Sequence, residues 1–208
     1  MEVKLKKTEY FNTRISDEIY FGADQEWYKS LHQRLSGCGP TTAALIIRYL
    51  SLSRRPEKFN CGSDFIDKAG FEKLMELVWD YVTPRWRGVY NSGIFVNGIE
   101  NFGKDIDVKI KCRALEIPGD NYIKPEYEKA EAFLTDSLSN DRPIAFLNLN
   151  NGEEKRLDLW HWVVLYAYNK YNNQAIICDN CAVREIDFHL WYKTTTLGGA
   201  IVSVDMES

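Results

Sequence analysis

The stretch HWVVLYAYNKYNNQAIICDN, from His161 to Asn180, constrains the fold more than any other part of the chain. HWVVLYAYN and QAIICDN carry the β-branched and aromatic residues that strands favour, and NKYNN between them is a turn signal. The second run is therefore expected to return antiparallel to the first. A turn centred near Tyr171 pairs Val163 with Asp179. Side chains alternate faces along a strand, so Asp179 falls on the face of His161, one diagonal step away. Such a step spans roughly 7–8 Å between backbones, within reach of facing side chains. Asn180 points to the other face unless the strand has already ended there. RPIAFLNLN (142–150), DVKIKCRALEI (107–117) and the closing run GGAIVSVD (198–205) read as further strands.

Ahead of this strand-rich part, the periodicity predicts helices. Residues 39–51 place Pro40 in a first turn and Ala43, Ala44, Ile47 and Leu50 along one apolar face. A second helix is expected over 63–81, capped by Ser63 or Asp64, with Phe71, Leu74, Leu77 and Val78 on its apolar face. TPRWRGVYNSG reads as a loop, 95–102 as a short helix, 125–139 as a helix opened by Pro125, and 187–193 as another short helix. Helices first and then a mostly antiparallel sheet define an α+β class. No repeat, low-complexity stretch or flexible linker divides the chain. It reads as one domain, with a helical lobe over about 28–140 and a sheet lobe over about 141–208.

Composition narrows the function classes. A chain of 208 residues, 45% apolar and 27% charged, suits a globular domain with a real core. Lys and Arg number 26 against 30 Asp and Glu, a net charge of −4, and no long basic stripe occurs. No nucleic-acid partner is expected. The basic start MEVKLKKTEYFNTRI lacks the apolar run of a signal peptide, and AALII and WVVLYAY are too short to span a bilayer. The expectation is a cytoplasmic protein without a membrane partner. Five cysteines, an odd number, point to reduced thiols rather than a disulfide framework.

LSGCGPTTAALIIRYL puts Cys38 where a loop becomes a helix. Unpaired backbone N–H groups and the positive end of the helix dipole favour a thiolate there. The same amides can donate to an oxyanion. Gly37 and Gly39 flank the thiol without side chains and let a substrate backbone approach. The competing reading is a buried, inert cysteine, a common use of a free thiol.

A thiolate nucleophile needs a base, and the chain has three histidines. His32 lies in a segment that reads as loop, and His189 on a short amphipathic helix, where a rim position is the plain reading. His161 heads a strand, opening onto the sheet edge while the strand anchors it. Asp179 then holds its tautomer, or else serves as a strand-end turn residue. Gln33, five residues before Cys38, is either a second donor to an oxyanion or a solvated loop residue. Trp160 and Trp162 flank the base and either line a substrate cleft or pack in core and rim. Cys178 and Cys181 form half a zinc pattern, but neither Cys61 nor Cys112 adds a second close pair. No metal and no cofactor is expected.

A glutamine, GCGPTTAAL, RPIAFLNL, HWVVLYAYN, ICDN, a short helix and a final strand follow one another in this order. The series resembles the papain-like cysteine peptidases, and more narrowly the bacteriocin-processing (double-glycine leader) peptidases and their stand-alone bacterial relatives. The resemblance covers about 28–205 and is most specific at the Cys-Gly-Pro and His-Trp-Val-Val blocks. It implies a papain-like fold in which the nucleophile helix packs on a C-terminal sheet. It also implies Cys38 as nucleophile, His161 as general base, Asp179 as orienting acid and Gln33 as oxyanion donor. The chain departs from the pattern in the spacing of Gln33, five residues where six are usual, and in Asn180, where the family has proline.

Two function classes follow. In the first, a thiolate attacks an amide or thioester carbonyl of a peptide or amide substrate and forms an acyl-enzyme. Release to water makes a peptidase or amidase, and release to an amine makes an acyltransferase or transpeptidase. In the second, the same fold binds peptides without turnover.

Overall fold

The computed structural model describes residues 2–59 and 65–207. Cys61 and the two expected cap residues, Ser63 and Asp64, lie outside the described residues. The strands are β1 (Glu2–Lys4), β2 (Asn12–Ile15), β3 (Glu18–Phe21), β4 (Ile110–Pro118), β5 (Ile144–Asn148), β6 (His161–Asn169), β7 (Gln174–Asp179), β8 (Ala182–Asp187) and β9 (Gly198–Met206). The helices are α1 (Leu31–Ser36), α2 (Cys38–Arg54), α3 (Lys68–Trp79), α4 (Ser92–Asp105), α5 (Tyr127–Ser139) and α6 (Phe188–Thr194). The class is α+β.

Seven strands form one sheet in the order β4-β9-β5-β6-β7-β8, with β1 lying beside the part of β6 that β5 does not reach. Each of these pairings is antiparallel. β4 and β1 come from early in the chain, so the sheet is not confined to the C-terminal part. β2 and β3 form a separate hairpin.

α2 is the central helix. It packs on β5, β6 and β9, and α3 and α4 pack against it. Every residue from Gly39 to Ser51 is buried, including Leu45, Ile46 and Tyr49 off the expected apolar face. A helix enclosed on all sides needs apolar residues all round, which the run AALII supplies. The helix ends at Arg55, whose φ of 50° breaks the spiral.

The opposite face of the sheet is covered by α6, with α5 beside it. Phe146 of β5 meets Phe188 and Trp191 of α6, while Leu147, next along the strand, faces the other layer. Tyr127 at the start of α5 packs on Phe188 and Tyr192 of α6.

Several elements differ from expectation. α3 is capped by Asp67, whose side chain accepts from Gly70 N–H. Met75 takes the buried place expected of Leu77, which is 40% exposed. α4 starts earlier than the expected short helix because Asn91 caps it at Ile94 N–H, and it runs on to Asp105. β8 and the N-terminal strands were not anticipated.

Candidate active site

Cys38 opens α2 only two residues after α1 ends. α1 is itself started by a capping box: Ser30 Oγ accepts from Gln33 N–H, and Gln33 Oε1 accepts from Ser30 N–H. The segment read as a loop before the cysteine is thus a short helix. Gly37 is the single joint between α1 and α2.

The two glycines serve packing rather than a substrate. Both are buried. A Cβ on Gly37 would stand 2.6 Å from the Tyr28 ring, and one on Gly39 would stand 2.8 Å from the Val89 side chain. They let Tyr28 and Val89 close on the helix start.

His161 and Asp179 reach the thiol from the ends of two neighbouring strands. Val164 pairs with Cys178 and Leu165 with Ile177, and the same register puts Asp179 beside Val163. Towards the turn the pairing shifts by one residue at a bulge between Leu165 and Ala167. The bulge keeps the His161 end in the register expected from the sequence. β7 stops at Asp179 because Asn180 and Cys181 take φ values of 46° and 58°. Two left-handed residues in a row make the type I′ turn that links β7 to β8.

The side chains meet there. His161 Nε2 lies 2.6 Å from Asp179 Oδ1, and the two side chains are 11% and 3% exposed. Cys38 and His161 line the same small cavity, close enough for the sulfur to act on the charge of the ring. The sulfur also lies 4.0 Å from the Trp160 carbonyl, a weak contact beside the imidazole. Burial works to strip the ring of its proton. The Asp179 carboxylate and the Cys38 sulfur outweigh that pull, and the imidazole is pushed up from 6.5 to about 10.

Asp179 uses its second oxygen too: Oδ2 is 3.1 Å from Arg184 Nη1 on β8. Arg184 also contacts Asp158 Oδ2 at 3.3 Å. Asp158, His161 and Asp179 offer donor atoms within 4.8 Å of one another, close enough to hold a cation. Arg184 already brings a positive charge to both carboxylates.

No known family model matches this chain, and neither does any curated protein.

Gln33 is not beside the thiol. Its Nε2 donates to Glu76 Oε2 at 2.7 Å and its Oε1 belongs to the capping box, so the expected oxyanion donor is engaged elsewhere. Gln25 stands in the site instead. It begins a 3-10 turn (Gln25–Trp27) capped by Asp24. With Cys38, His161, Trp162 and Asp179 it lines a cavity of about 10 Å³, room for a single water. One Nε2 proton goes to Arg34 O at 2.7 Å, which leaves a second N–H. Gln25 Oε1 is buried without a partner among the described residues. The sequence holds one faint signal for it, a second glutamine ahead of the cysteine, separated from it by α1.

On the other side of Cys38 a groove of about 490 Å³ runs past Leu147, Leu149, Val89 and Trp160. Trp160, 47% exposed, forms part of its wall. Asn148 holds the approach to it, donating to Asp158 O at 2.6 Å and accepting from Trp191 Nε1 at 2.7 Å. Trp162 is a core residue. It is 2% exposed, stacks on Phe95 at 4.4 Å and donates to Val89 O at 2.5 Å.

His32 lies on α1 at the groove, its ring edge-on to Trp79. His189 packs on Tyr127, away from the thiol. Cys178 is sealed in the core, with burial pushing its thiol up, and Cys181 is pushed up to about 11 by its own burial. Neither joins a set of metal-ligating groups among the described residues. None of the described helices is long and apolar enough to cross a membrane.

Proposed function

We propose that this chain is a papain-like cysteine hydrolase that cleaves a peptide or amide bond. The observation that carries the reading is the 2.6 Å contact between His161 Nε2 and Asp179 Oδ1 on an imidazole that lines one small cavity with Cys38. A nucleophile at a helix start, set against a sheet that brings base and acid, is the arrangement such an enzyme needs.

In this reading the Cys38 sulfur attacks the carbonyl carbon and the carbonyl π-bond opens to an oxyanion. The Cys38 N–H, free at the helix start, and the spare N–H of Gln25 stabilise that oxyanion. His161 passes its proton to the leaving amine as the C–N bond breaks and a thioester remains. Water then gives a proton to His161 and attacks the thioester, releasing the acid and restoring the sulfur. Asp179 keeps Nε2 protonated throughout and supports the imidazolium.

The test is acyl transfer from p-nitrophenyl acetate. The account expects a burst of p-nitrophenolate, with one acetyl group per chain mapped by mass spectrometry to Cys38 and absent in Cys38→Ala. Acetyl groups on lysines alone, with no burst, would overturn it.

A further inference from the structure

The loop between α3 and α4 builds one wall of the groove. Arg85 N–H donates to Gly88 O at 3.0 Å and Gly88 N–H donates to Arg85 O at 2.8 Å. This pair closes a tight turn with Trp86 and Arg87 at its tip, and Gly88 supplies the φ of +74° that the turn requires. The backbone is pinned while the side chains stand out. Trp86 is 93% exposed, and Arg85 and Arg87 are exposed beside it.

Both guanidiniums lack an ion-pair or hydrogen-bond partner among the described residues. The groove they line contains no aspartate or glutamate, on a chain of net charge −4. A cleft walled by one sign of charge focuses its field on the opposite sign. Beside the polar His32, Ser36 and Tyr90, the lining carries apolar surface, with Leu35 75% exposed and Trp160 47% exposed. Exposed apolar surface rimmed by charge marks a binding site.

We propose that the groove takes an extended peptide carrying an acidic side chain next to an apolar one, near the bond presented to Cys38. The proposal rests on Cys38 being the nucleophile. Arg85 and Arg87 receive the carboxylate, whose two oxygens match the guanidinium fork. Leu35, Leu149 and Trp160 receive the apolar side chain. Two exposed ion pairs support a preference of roughly three- to tenfold for an acidic over a neutral side chain.

The test uses peptidyl acyloxymethyl ketones of the forms Leu-X-Gly and X-Leu-Gly, where X is Glu, Gln or Lys. Inactivation rate constants are read from labelling of Cys38, with iodoacetamide as a probe that carries no peptide. In at least one order, Glu is expected to react three- to tenfold faster than Gln, and Lys slower than both. The Glu advantage should shrink in about 0.5 M NaCl, where the Debye length is roughly 4 Å. It should vanish in the double variant R85Q/R87Q, whose unfolding midpoint is unchanged because neither guanidinium has a partner to lose. Equal rates for Glu, Gln and Lys in both orders overturn the proposal, as does a Glu advantage that survives in the double variant. Failure of the nucleophile reading looks different: iodoacetamide labelling of Cys38 would then ignore His161→Ala.

Discussion

Arg184 Nη1 lies 3.1 Å from Asp179 Oδ2, the carboxylate oxygen that His161 does not use. Asp179 is 4% exposed, so both of its oxygens find partners within the protein. Arg184→Gln leaves one oxygen short of a charged donor. The expected cost is about 1 kcal/mol, the low end for a charged pair because the Arg184 side chain is 33% exposed. With the guanidinium gone, more of the carboxylate's charge falls on the imidazolium. The titration of His161, followed by NMR, should therefore move further up. An unmoved titration contradicts this role for Arg184.

The two glutamines should separate cleanly. Gln25 shares the small cavity with Cys38 and His161, whereas Gln33 bonds Ser30 and Glu76. Gln25→Ala is expected to lower kcat by about 10²-fold, the usual loss for an oxyanion donor. Gln33→Ala should leave kcat within a few-fold and lower stability by about 1 kcal/mol through the lost capping box. Steady-state kinetics paired with urea unfolding of both variants checks this.

The imidazolium also contributes to stability, with a definite sign. His161 is raised from 6.5 to about 10 in the folded chain. Its contribution is fully present below about 6.5 and is lost as pH rises through about 10. The stability difference between the wild type and His161→Gln should therefore shrink steadily over that window. Urea midpoints measured at intervals between these limits give the slope, and a difference that grows with pH contradicts it.

Asp141 behaves in the opposite sense. It is 6% exposed and accepts from Tyr49 Oη at 2.5 Å, from Lys6 N–H at 2.8 Å and from Arg54 at 3.1 Å. Burial pushes its carboxyl up, but these donors prevail and hold it below the ordinary carboxylate range. The stability it provides is present above that range and is lost as pH falls through the folded value. Asp141→Asn takes away one of the two carboxylates on Arg54, which keeps Asp205 Oδ1 at 3.2 Å, and is expected to cost roughly 1–2 kcal/mol. The variant's acid unfolding should lose the part of its pH dependence that Asp141 supplies.

The sequence carried much of the site's geometry. The His161–Asn180 hairpin is local, so side-chain parity and one short turn were enough to bring His161 and Asp179 together. The one-residue shift from the turn centre expected near Tyr171 is absorbed by the bulge at Leu165 and Ala167. Cys38 at a helix start followed from the Gly-Cys-Gly-Pro pattern in the same local way. What escaped depends on distant partners. Trp162 looks like a cleft residue until Phe95 and Val89 are placed against it, and Gly37 and Gly39 read as substrate contacts until Tyr28 is packed on the helix. Gln25 was hidden because α1 lengthens the path to the thiol. β1 has only three residues, and its pairing with Ala167–Asn169 of β6 leaves no trace in its own composition. β8 was missed because Arg184 and Glu185 interrupt an apolar reading, although Arg184 supplies the contact to Asp179.

The most direct measurement is the rate of carbamidomethylation of Cys38 by iodoacetamide near neutral pH, read by peptide mapping against Cys112 in the same native chain. Cys112 is the internal reference because burial pushes its thiol up to about 12. The account predicts that Cys38 reacts at least about 10²-fold faster than Cys112, and that His161→Ala removes most of this advantage. Equal rates at the two cysteines, or a Cys38 rate indifferent to His161, would contradict it.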